Sequence, residues 1–256
     1  MAPTLYDMHV HLDFMQGASG VVAEAEALGL GMLAVTVTPK GYEQTRRELA
    51  EAPSACVGVG LHPWWVADGR CGTADVKLAA QLVRTSRYVG EIGLDLSPKH
   101  VPEGSLESQV AALETVAVAC TQTSDHAAPK VLSLHSVRAA GLTLDLLERA
   151  GALATCHCIF HWFSGTSDEL HRAVKAGCWF SVNEMMLRTK RGREYARQLP
   201  ADRLLLETDL PPGEDVPFSA TQIIASLERT LAQLQTIRGC DVRGLTCDNA
   251  QRLLSQ

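Results

Sequence analysis

The chain has 256 residues, of which 46% are hydrophobic and 20% are charged, and its formal net charge is −6. This length and composition are typical of a globular protein with a sizeable buried core. The acidic balance excludes a broadly cationic surface, so any nucleic-acid site would depend on a local basic patch and on metal ions.

Short β-rich apolar runs alternate along the chain with longer segments of helical period. In chain order, the eight predicted strands are 4–10, 31–37, 55–61, 87–94, 130–135, 154–161, 178–182 and 203–209. The helical segments between them include 21–30, 75–86, 106–120, 142–151 and 168–177, and several of these end at glycine. A final segment, residues 242–255, predicts an extra helix at the C-terminus.

Strict alternation of strands and helices implies parallel strands joined by helical crossovers. Eight such units in about 250 residues predict an α/β fold of the (β/α)8 TIM-barrel type, with a doubly wound open sheet as the alternative. No linker, low-complexity tract or long charge block divides the sequence, so we expect one domain over residues 1–256.

The N-terminal residues lack the basic stretch and apolar core of a signal peptide, and no uncharged apolar run reaches about 18 residues. We therefore expect a cytoplasmic protein with no membrane segment. The eight cysteines are scattered through apolar segments, which favours reduced packing cysteines over a disulfide framework. Cys156 and Cys158 flank a histidine, but no second matching pair completes a zinc motif.

Most of the predicted strands end in side chains that suit a metal ion or a substrate. The first ends in the pair His9 and His11, whose spacing puts both imidazoles on one face of a strand. The other strand-end candidates are Thr36, Thr38, His62, Glu91, Asp95, His135, His161, Ser181, Asn183 and Asp209. The carboxyl ends of barrel strands form one mouth, so these distant residues should meet there. Acids and imidazoles are costly to bury alone, and one divalent cation satisfies several of them.

Six short motifs occur in a fixed order along the chain. They are DMHVH at 7–11, GLHP at 60–63, GEIGLD at 90–95, LSLHS at 132–136, FHWFSG at 160–165 and LLETD at 205–209. Together they resemble the signature of the TatD family of metal-dependent deoxyribonucleases, and the resemblance spans essentially the whole chain. Within that family, residues 160–182 and 199–209 are similar to the TatD-like nuclease QatD of the bacterial Qat anti-phage defence system.

The resemblance implies a metal-dependent hydrolase that holds two divalent ions, and mixed imidazole and carboxylate sites accept Zn, Mg, Mn or Ni. Two-metal hydrolases place their ions about 3.5–4 Å apart, a distance that one bridging carboxylate spans. We expect one ion at His9, His11 and Asp209, the second at His135 and His161, and Glu91 between them. Glu91 and Asp209 are thus expected in catalysis, together with His62 and Asp95 as groups that hydrogen-bond substrate or position water.

Other residues have weaker predicted roles. Asp7 and Glu207 are candidates for orienting ligand imidazoles, or are plain strand-end carboxylates. The aromatic side chains of Trp64, Trp65 and Trp162 suit stacking on unpaired bases, although packing explains them equally well. The remaining histidines that lie in loop or helix contexts indicate no site, and these are His100, His126 and His171.

A basic segment, residues 187–197, follows the seventh predicted strand, where barrel enzymes often bind phosphate. Its cations are Arg188, Lys190, Arg191, Arg193 and Arg197, and a smaller set after the second strand is Lys40, Arg46 and Arg47. The alternative reading of this segment is a solvated helix face. Two positions depart from the family pattern: Val137 stands where members usually carry arginine, with Arg138 after it, and Leu210 stands where a small residue usually precedes proline.

These observations predict a divalent-metal-dependent phosphodiesterase that cleaves DNA from single-stranded ends, with other defence-system components as partners. One alternative keeps the metals but changes the substrate to a small lactone, amide or phosphoester, because a fold does not fix a function. Another alternative is a mainly structural component of a defence complex.

Overall fold

The computed structural model of the chain describes residues 3–52, 55–214 and 216–255. Nine parallel strand segments lie in these ranges: β1 Leu5–Val10, β2 Leu30–Ala34, β3 Ala55–Val57, β4 Val59–Leu61, β5 Tyr88–Asp95, β6 Val131–Val137, β7 His157–His161, β8 Trp179–Val182 and β9 Leu204–Leu206. The third predicted strand is split at Gly58 into β3 and β4. The strands pair in the orders β1-β2-β3 and β4-β5-β6-β7-β8-β9.

Backbone hydrogen bonds join the two sheets at both edges. On one side, the amide of Gly58 donates to the carbonyl of Ala34 at 2.8 Å, and the amide of Glu91 donates to the carbonyl of Thr36 at 2.9 Å. On the other side, the amide of Asp209 donates to the carbonyl of His9 at 2.9 Å. The strand order thus runs from β1 to β9 and returns to β1, which confirms the predicted α/β fold of the TIM-barrel type.

Helices connect successive strands, as the alternation predicts. Within the described ranges they are α1 Ala18–Ala27, α2 Pro39–Glu48, α3 Pro63–Ala67, α4 Thr73–Leu82, α5 Leu106–Thr123, α6 Ala140–Ala150, α7 Ala152–Thr155, α8 Ser167–Lys175, α9 Glu184–Leu187, α10 Lys190–Gln198, α11 Ala220–Arg238 and α12 Arg243–Leu254. The predicted C-terminal helix is confirmed as α12, whereas α11 was not among the segments singled out. None of these described helices has the length and apolar character needed to cross a membrane.

Alternate residues of each strand belong to two separate apolar clusters. One cluster contains Leu132, Phe160 and Phe180 and packs against the surrounding helices. The other contains Met8 and Ile159, which lie on the opposite faces of their strands. Among the described helices, only α12 contributes buried residues to this second cluster, so the cluster fills the barrel interior. Because a strand repeats every two residues, His161 follows Ile159 and Glu207 follows Leu205 on the inward-facing side. Helix α12 therefore covers the bottom of the barrel, while the polar strand ends face its mouth.

The cysteines are consistent with this packing. All eight are free, and five of them are buried. Burial raises the pKa of the Cys178 thiol to about 12, which keeps it protonated and unreactive. The buried five agree with the predicted packing role, and the reduced state of all eight stays a prediction.

Candidate metal centre

Glu91 on β5 lies at the centre of a cluster of five histidines and is 2% exposed. Its Oε1 is 2.6 Å from His135 Nδ1 and 2.9 Å from His161 Nε2. Its Oε2 lies 3.3 Å from His11 Nε2 and from His62 Nε2, and 3.5 Å from His9 Nε2. Each carboxylate oxygen thus faces a different set of imidazoles, as expected of a bridging group.

Asp209 completes the cluster from the segment after β9. Its Oδ1 is 3.4 Å from His11 Nε2 and 3.6 Å from His9 Nε2. Its backbone has a left-handed φ of 60°, and left-handed non-glycine residues also follow β6 and β7 at Arg138 and Trp162. Such backbone conformations cost free energy and tend to be retained at functional sites.

The structure brings together all six predicted metal-binding residues. It also groups their donor atoms within 4.8 Å of one another in three sets: His9, His11 and Glu91; His9, His161 and Asp209; and His62, Glu91 and His135. The predicted division between two ions differs from these sets in two respects. His161 is grouped with His9 and Asp209, and His62 is grouped with His135, whereas the sequence pairs His135 with His161.

Three of the five imidazoles have a hydrogen-bond partner on the nitrogen that points away from Glu91. His9 Nδ1 is 2.7 Å from the hydroxyl of Ser133, and His135 Nε2 is 3.0 Å from Asp95 Oδ2. The third, His62 Nδ1, accepts from the backbone amide of Trp64 at 3.1 Å. Partners of this kind fix the ring orientation of metal-ligating histidines and leave the opposite nitrogen free for an ion. The outward nitrogens of His11 and His161 face Asp13 Oδ1 at 3.5 Å and Glu207 Oε1 at 3.6 Å, without a hydrogen bond among the described residues.

The sequence analysis missed two of these partners. Ser133 lies two residues before His135 on β6, so the period of a strand places it on the same face and would have identified it. Asp13 follows His11 in a short 3-10 helix, where no simple period predicts its orientation. The Glu207 prediction agrees with the geometry, since this carboxylate faces His161 and accepts from Asn183 at 2.8 Å.

Asp7 has a different role from the one considered for it. Its carboxylate accepts hydrogen bonds from the backbone amides of His9 at 3.1 Å and Thr208 at 3.0 Å, and faces no imidazole. Burial raises the pKa of the Asp7 carboxyl to about 7, against the lowering effect of these hydrogen bonds. Asp7 therefore holds the junction between β1 and the segment that carries Asp209.

The electrostatics of the cluster suit a cation. Burial by itself would raise the pKa of Glu91, but the surrounding imidazoles outweigh it and hold that pKa well below its ordinary value. Burial opposes protonation of the imidazoles, yet facing carboxylates raise the pKa values of His11 and His161 well above normal. Burial lowers the pKa of His62 to about 4 and also lowers that of His9.

The residues present fit a divalent metal ion. His9 Nε2 is buried without a hydrogen-bond partner, although it is aimed at Glu91 and Asp209. The rings of His9 and His161 stack with centroids 3.9 Å apart, so protonating both would place two positive charges in contact. An ion that accepts imidazole lone pairs and carboxylate oxygens satisfies this donor set with no such repulsion.

Asp95 is fully buried and serves several donors at once. Its Oδ2 lies 2.7 Å from the indole nitrogen of Trp64, 3.0 Å from His135 Nε2 and 3.1 Å from His100 Nδ1. Although burial opposes ionisation, these partners lower the pKa of Asp95 to about 2. The geometry favours a positioning role for Asp95 over direct contact with substrate, and its predicted catalytic role stays a prediction.

A cavity of about 420 Å³ opens above the cluster. Aromatic side chains form much of its wall, including Phe14, Trp64, Trp65 and Trp162. Among the described residues that line it there is no lysine or arginine. His100, which indicated no site in the sequence, is also part of this wall, and no sequence signal identifies it.

The predicted basic segment lies outside this cavity. Arg193 donates to the carbonyl of Leu187 at 2.9 Å, and Arg197 pairs with Glu194 at 2.7 Å, so these two cations stabilise α10 and its surroundings. Arg188, Lys190 and Arg191 are exposed. The smaller basic set is exposed as well, with Lys40 3.8 Å from Asp75. A role for either set in phosphate binding stays a prediction.

The model of a family described as TatD related DNase matches residues 6–255 of the chain. Over 97% of the chain, the sequence is 27% identical to the human deoxyribonuclease TATDN3, of which the match covers 94%. It is 29% identical to the 3′-5′ ssDNA/RNA exonuclease TatD of Dickeya dadantii, with 97% of each protein covered. The fold is similar to that of the TatD homologue YJJV of Escherichia coli K12, with a TM-score of 0.79, 22% identity and coverage of 99% and 98% of the two chains.

Proposed function

Because the chain belongs to the TatD family of DNases, we propose that it is a divalent-metal-dependent phosphodiesterase that cleaves DNA, acting on single-stranded ends. The observation that carries the proposal is one carboxylate, Glu91, surrounded by five imidazoles at the floor of an aromatic cavity. A relative in Citrobacter rodentium, 26% identical over 97% of the chain, is named as a 3′-5′ ssDNA/RNA exonuclease, which supports the single-stranded substrate.

We assign two ions to the cluster. One would be held by His9, His11 and Asp209, the second by His135 and His161, with Glu91 shared between them. His62 lies 3.3 Å from Glu91 Oε2 and faces the same space, so it contacts either the second ion or the substrate. When bound, such ions supply an activated water and stabilise the charge that develops on the transferred phosphoryl group.

The residues of the chain orient the reaction partners. The carboxylate of Asp209 lies beside His9 and His11 and is 24% exposed, so it is the acid of the cluster within reach of a substrate or water in the cavity. Ser133 holds the outward nitrogen of His9 at 2.7 Å and Asp95 holds that of His135 at 3.0 Å, which fixes the orientation of these two rings. Rigid, preorganised groups cost no reorganisation during the reaction.

The cavity favours unpaired nucleotides over a duplex. Its wall contains aromatic rings on which a base can stack, a contact worth about 1–3 kcal/mol per base. Val137 lines the cavity, whereas Arg138 is exposed and is not part of the wall. Binding close to the reacting phosphate would then depend on metal ions and stacking, and flanking phosphates would contact Arg188, Lys190 and Arg191.

Cleavage of a single-stranded oligonucleotide should require added Mg²⁺, Mn²⁺, Ni²⁺ or Zn²⁺ and should stop when EDTA removes the ion. The physical reason is that the developing negative charge has no other counter-ion of comparable strength within the described cavity wall. Gel analysis of an end-labelled strand, beside a duplex of the same sequence, measures this directly. Undiminished cleavage in chelator contradicts the proposal.

Absence of DNA cleavage with every metal would favour the second candidate, a hydrolase of small lactones, amides or phosphoesters. The observation that favours it is the lack of lysine and arginine in the described cavity wall. The same metals assayed with p-nitrophenyl esters and phosphodiesters separate the two functions.

We further propose that the enzyme acts in a bacterial anti-phage defence system, with the other components of that system as partners. The support is the likeness of residues 160–182 and 199–209 to the TatD-like nuclease of the Qat system. A single domain over residues 1–256 and a cytoplasmic location stay predictions.

Metal affinity should increase as the pH is raised from 6 to 8. Facing carboxylates raise the pKa values of His11, His135 and His161 in the metal-free protein, so each is protonated below its raised pKa and must lose that proton to bind an ion. Each displaced proton makes the apparent affinity change about tenfold per pH unit in that window.

Titration calorimetry in two buffers of different ionisation enthalpy counts the protons released on metal binding. The variant His126→Ala, at an exposed position, should release the same number as the unaltered protein. A binding constant that is flat between pH 6 and 8, with heats independent of buffer, would show that these imidazoles are not protonated in the metal-free protein and would contradict the prediction.

A further inference from the structure

His100 lies in the segment between β5 and α5, outside every motif of the sequence. Its imidazole nevertheless forms part of the cavity wall, and its side chain is 39% exposed. The candidate metal ligands are far less exposed, with His135 and His161 each at 6%. His100 is therefore the histidine of the cavity wall that a substrate meets before it reaches the cluster.

Two neighbours fix the orientation of this imidazole. Its Nδ1 is 3.1 Å from Asp95 Oδ2, and its ring lies against the indole of Trp64 with centroids 4.7 Å apart. The hydrogen bond of Trp64 to the same oxygen of Asp95, at 2.7 Å, locks the indole in turn. A histidine in a solvated surface loop is not expected to contact both a buried carboxylate and an indole ring.

The orientation leaves one nitrogen for a ligand. Because Nδ1 of His100 faces the carboxylate, Nε2 is the atom available to the cavity, and it has no hydrogen-bond partner among the described residues. Between the Asp95 carboxylate on one side and a phosphate oxygen on the other, the imidazole would donate one hydrogen bond from each nitrogen. The described cavity wall has no lysine or arginine to offer the same.

The position also relates His100 to the reacting centre. Asp95 Oδ2 contacts His100 Nδ1 at 3.1 Å and His135 Nε2 at 3.0 Å, while the other nitrogen of His135 is 2.6 Å from Glu91. The Asp95 carboxylate thus separates His100 from the metal cluster. His100 would therefore lie beside the reacting phosphate without contacting it. A neighbouring part of the substrate would come within its reach.

We propose that His100 is a substrate-binding residue that donates a hydrogen bond from Nε2 to a phosphate oxygen of the bound strand. The inference rests on the proposed phosphodiesterase function and adds a residue to it. Asp95 and Trp64 are its positioning residues. The imidazole would make the phosphate contact that an arginine in the cavity wall could make. Val137, which lines the cavity, is uncharged and cannot make that contact.

The test compares His100→Ala, His100→Gln and the matched control His126→Ala, all as the full metal-loaded chain. Steady-state cleavage of an end-labelled oligothymidylate should show a KM about tenfold higher for His100→Ala, the effect of losing one hydrogen bond to a charged group, with a smaller change in kcat. His100→Gln should recover part of the loss, because its amide nitrogen can donate from nearly the same place. If the alanine variant does not fold, His100→Leu replaces it as the variant without a donor.

The outcomes separate the two proposals. Cleavage by the unaltered chain, with KM for His100→Ala equal to that of His126→Ala, overturns the inference and leaves the phosphodiesterase intact. A glutamine variant no better than the alanine variant also overturns it, since the imidazole would then act other than as a donor. No cleavage of single-stranded DNA by the unaltered chain and the control with any metal overturns the proposed function itself.

Discussion

Replacing Glu91 by glutamine should reduce metal-dependent DNA cleavage by about three orders of magnitude or more, equivalent to about 4 kcal/mol of transition-state stabilisation. The substitution preserves shape but removes the charge that faces five imidazole nitrogens within 3.5 Å. It also replaces one of two acceptor oxygens by an amide NH2, whose nitrogen cannot ligate a cation. The shared position between two ions would be lost.

The matched control is Glu107→Gln, which removes one exposed carboxylate from the first turn of α5. Activity per mole and metal content by mass spectrometry should fall together in the Glu91 variant and remain unchanged in the control. Cleavage within tenfold of the unaltered chain would contradict the bridging assignment. If the protein acts in the proposed defence system, phage protection that survives Glu91→Gln in cells would instead support a structural role for the protein.

Replacing Gly93 by alanine should lower the free energy of unfolding by about 3–5 kcal/mol and displace a candidate metal ligand. Gly93 on β5 is paired in register with His135 on β6 and has a left-handed φ of 144°. A Cβ atom there would lie 2.0 Å from the carbonyl oxygen of His135, which is backbone and cannot rotate away. The strand carrying His135 would have to move, so metal affinity should fall as well.

Alanine substitutions at two other glycines distinguish the effect of this steric clash on stability from the effect of backbone strain. Gly69 has a left-handed φ of 81° with open space around its Cβ position, so Gly69→Ala should cost only about 1–2 kcal/mol. Gly20 lies in α1 with open space, and Gly20→Ala should stabilise the protein by about 0.5–1 kcal/mol. Urea denaturation gives all three values. Equal costs for Gly93→Ala and Gly69→Ala would show that the β5–β6 contact is not restrictive.

Residue spacing within single strands predicts much of the candidate metal centre, because the geometry of a strand is local and regular. His9 on β1 and His11 just after it are two residues apart, and apolar strand starts followed by polar ends recur in most of the eight runs. Parallel strands align their carboxyl ends, so Glu91 and Asp209 meet although 118 positions separate them in the sequence. The donor groups of the structure differ from the predicted division at His62, which lies with His135, and at His161, which lies with His9 and Asp209, and these distances are not encoded by any period.

The sequence by itself thus determined the alternating fold from residue spacing and the family from the resemblance of six ordered motifs, and it predicted the imidazoles and acids of the barrel mouth. Only the tertiary structure decided that Asp95 accepts a hydrogen bond from Trp64, that Asp7 links β1 to the segment after β9, and that His100 lines the cavity. These depend on the course of loops and on side-chain pairs from different elements. Loops have no repeating geometry, so their contacts are set by packing against the finished barrel and leave no pattern in the sequence.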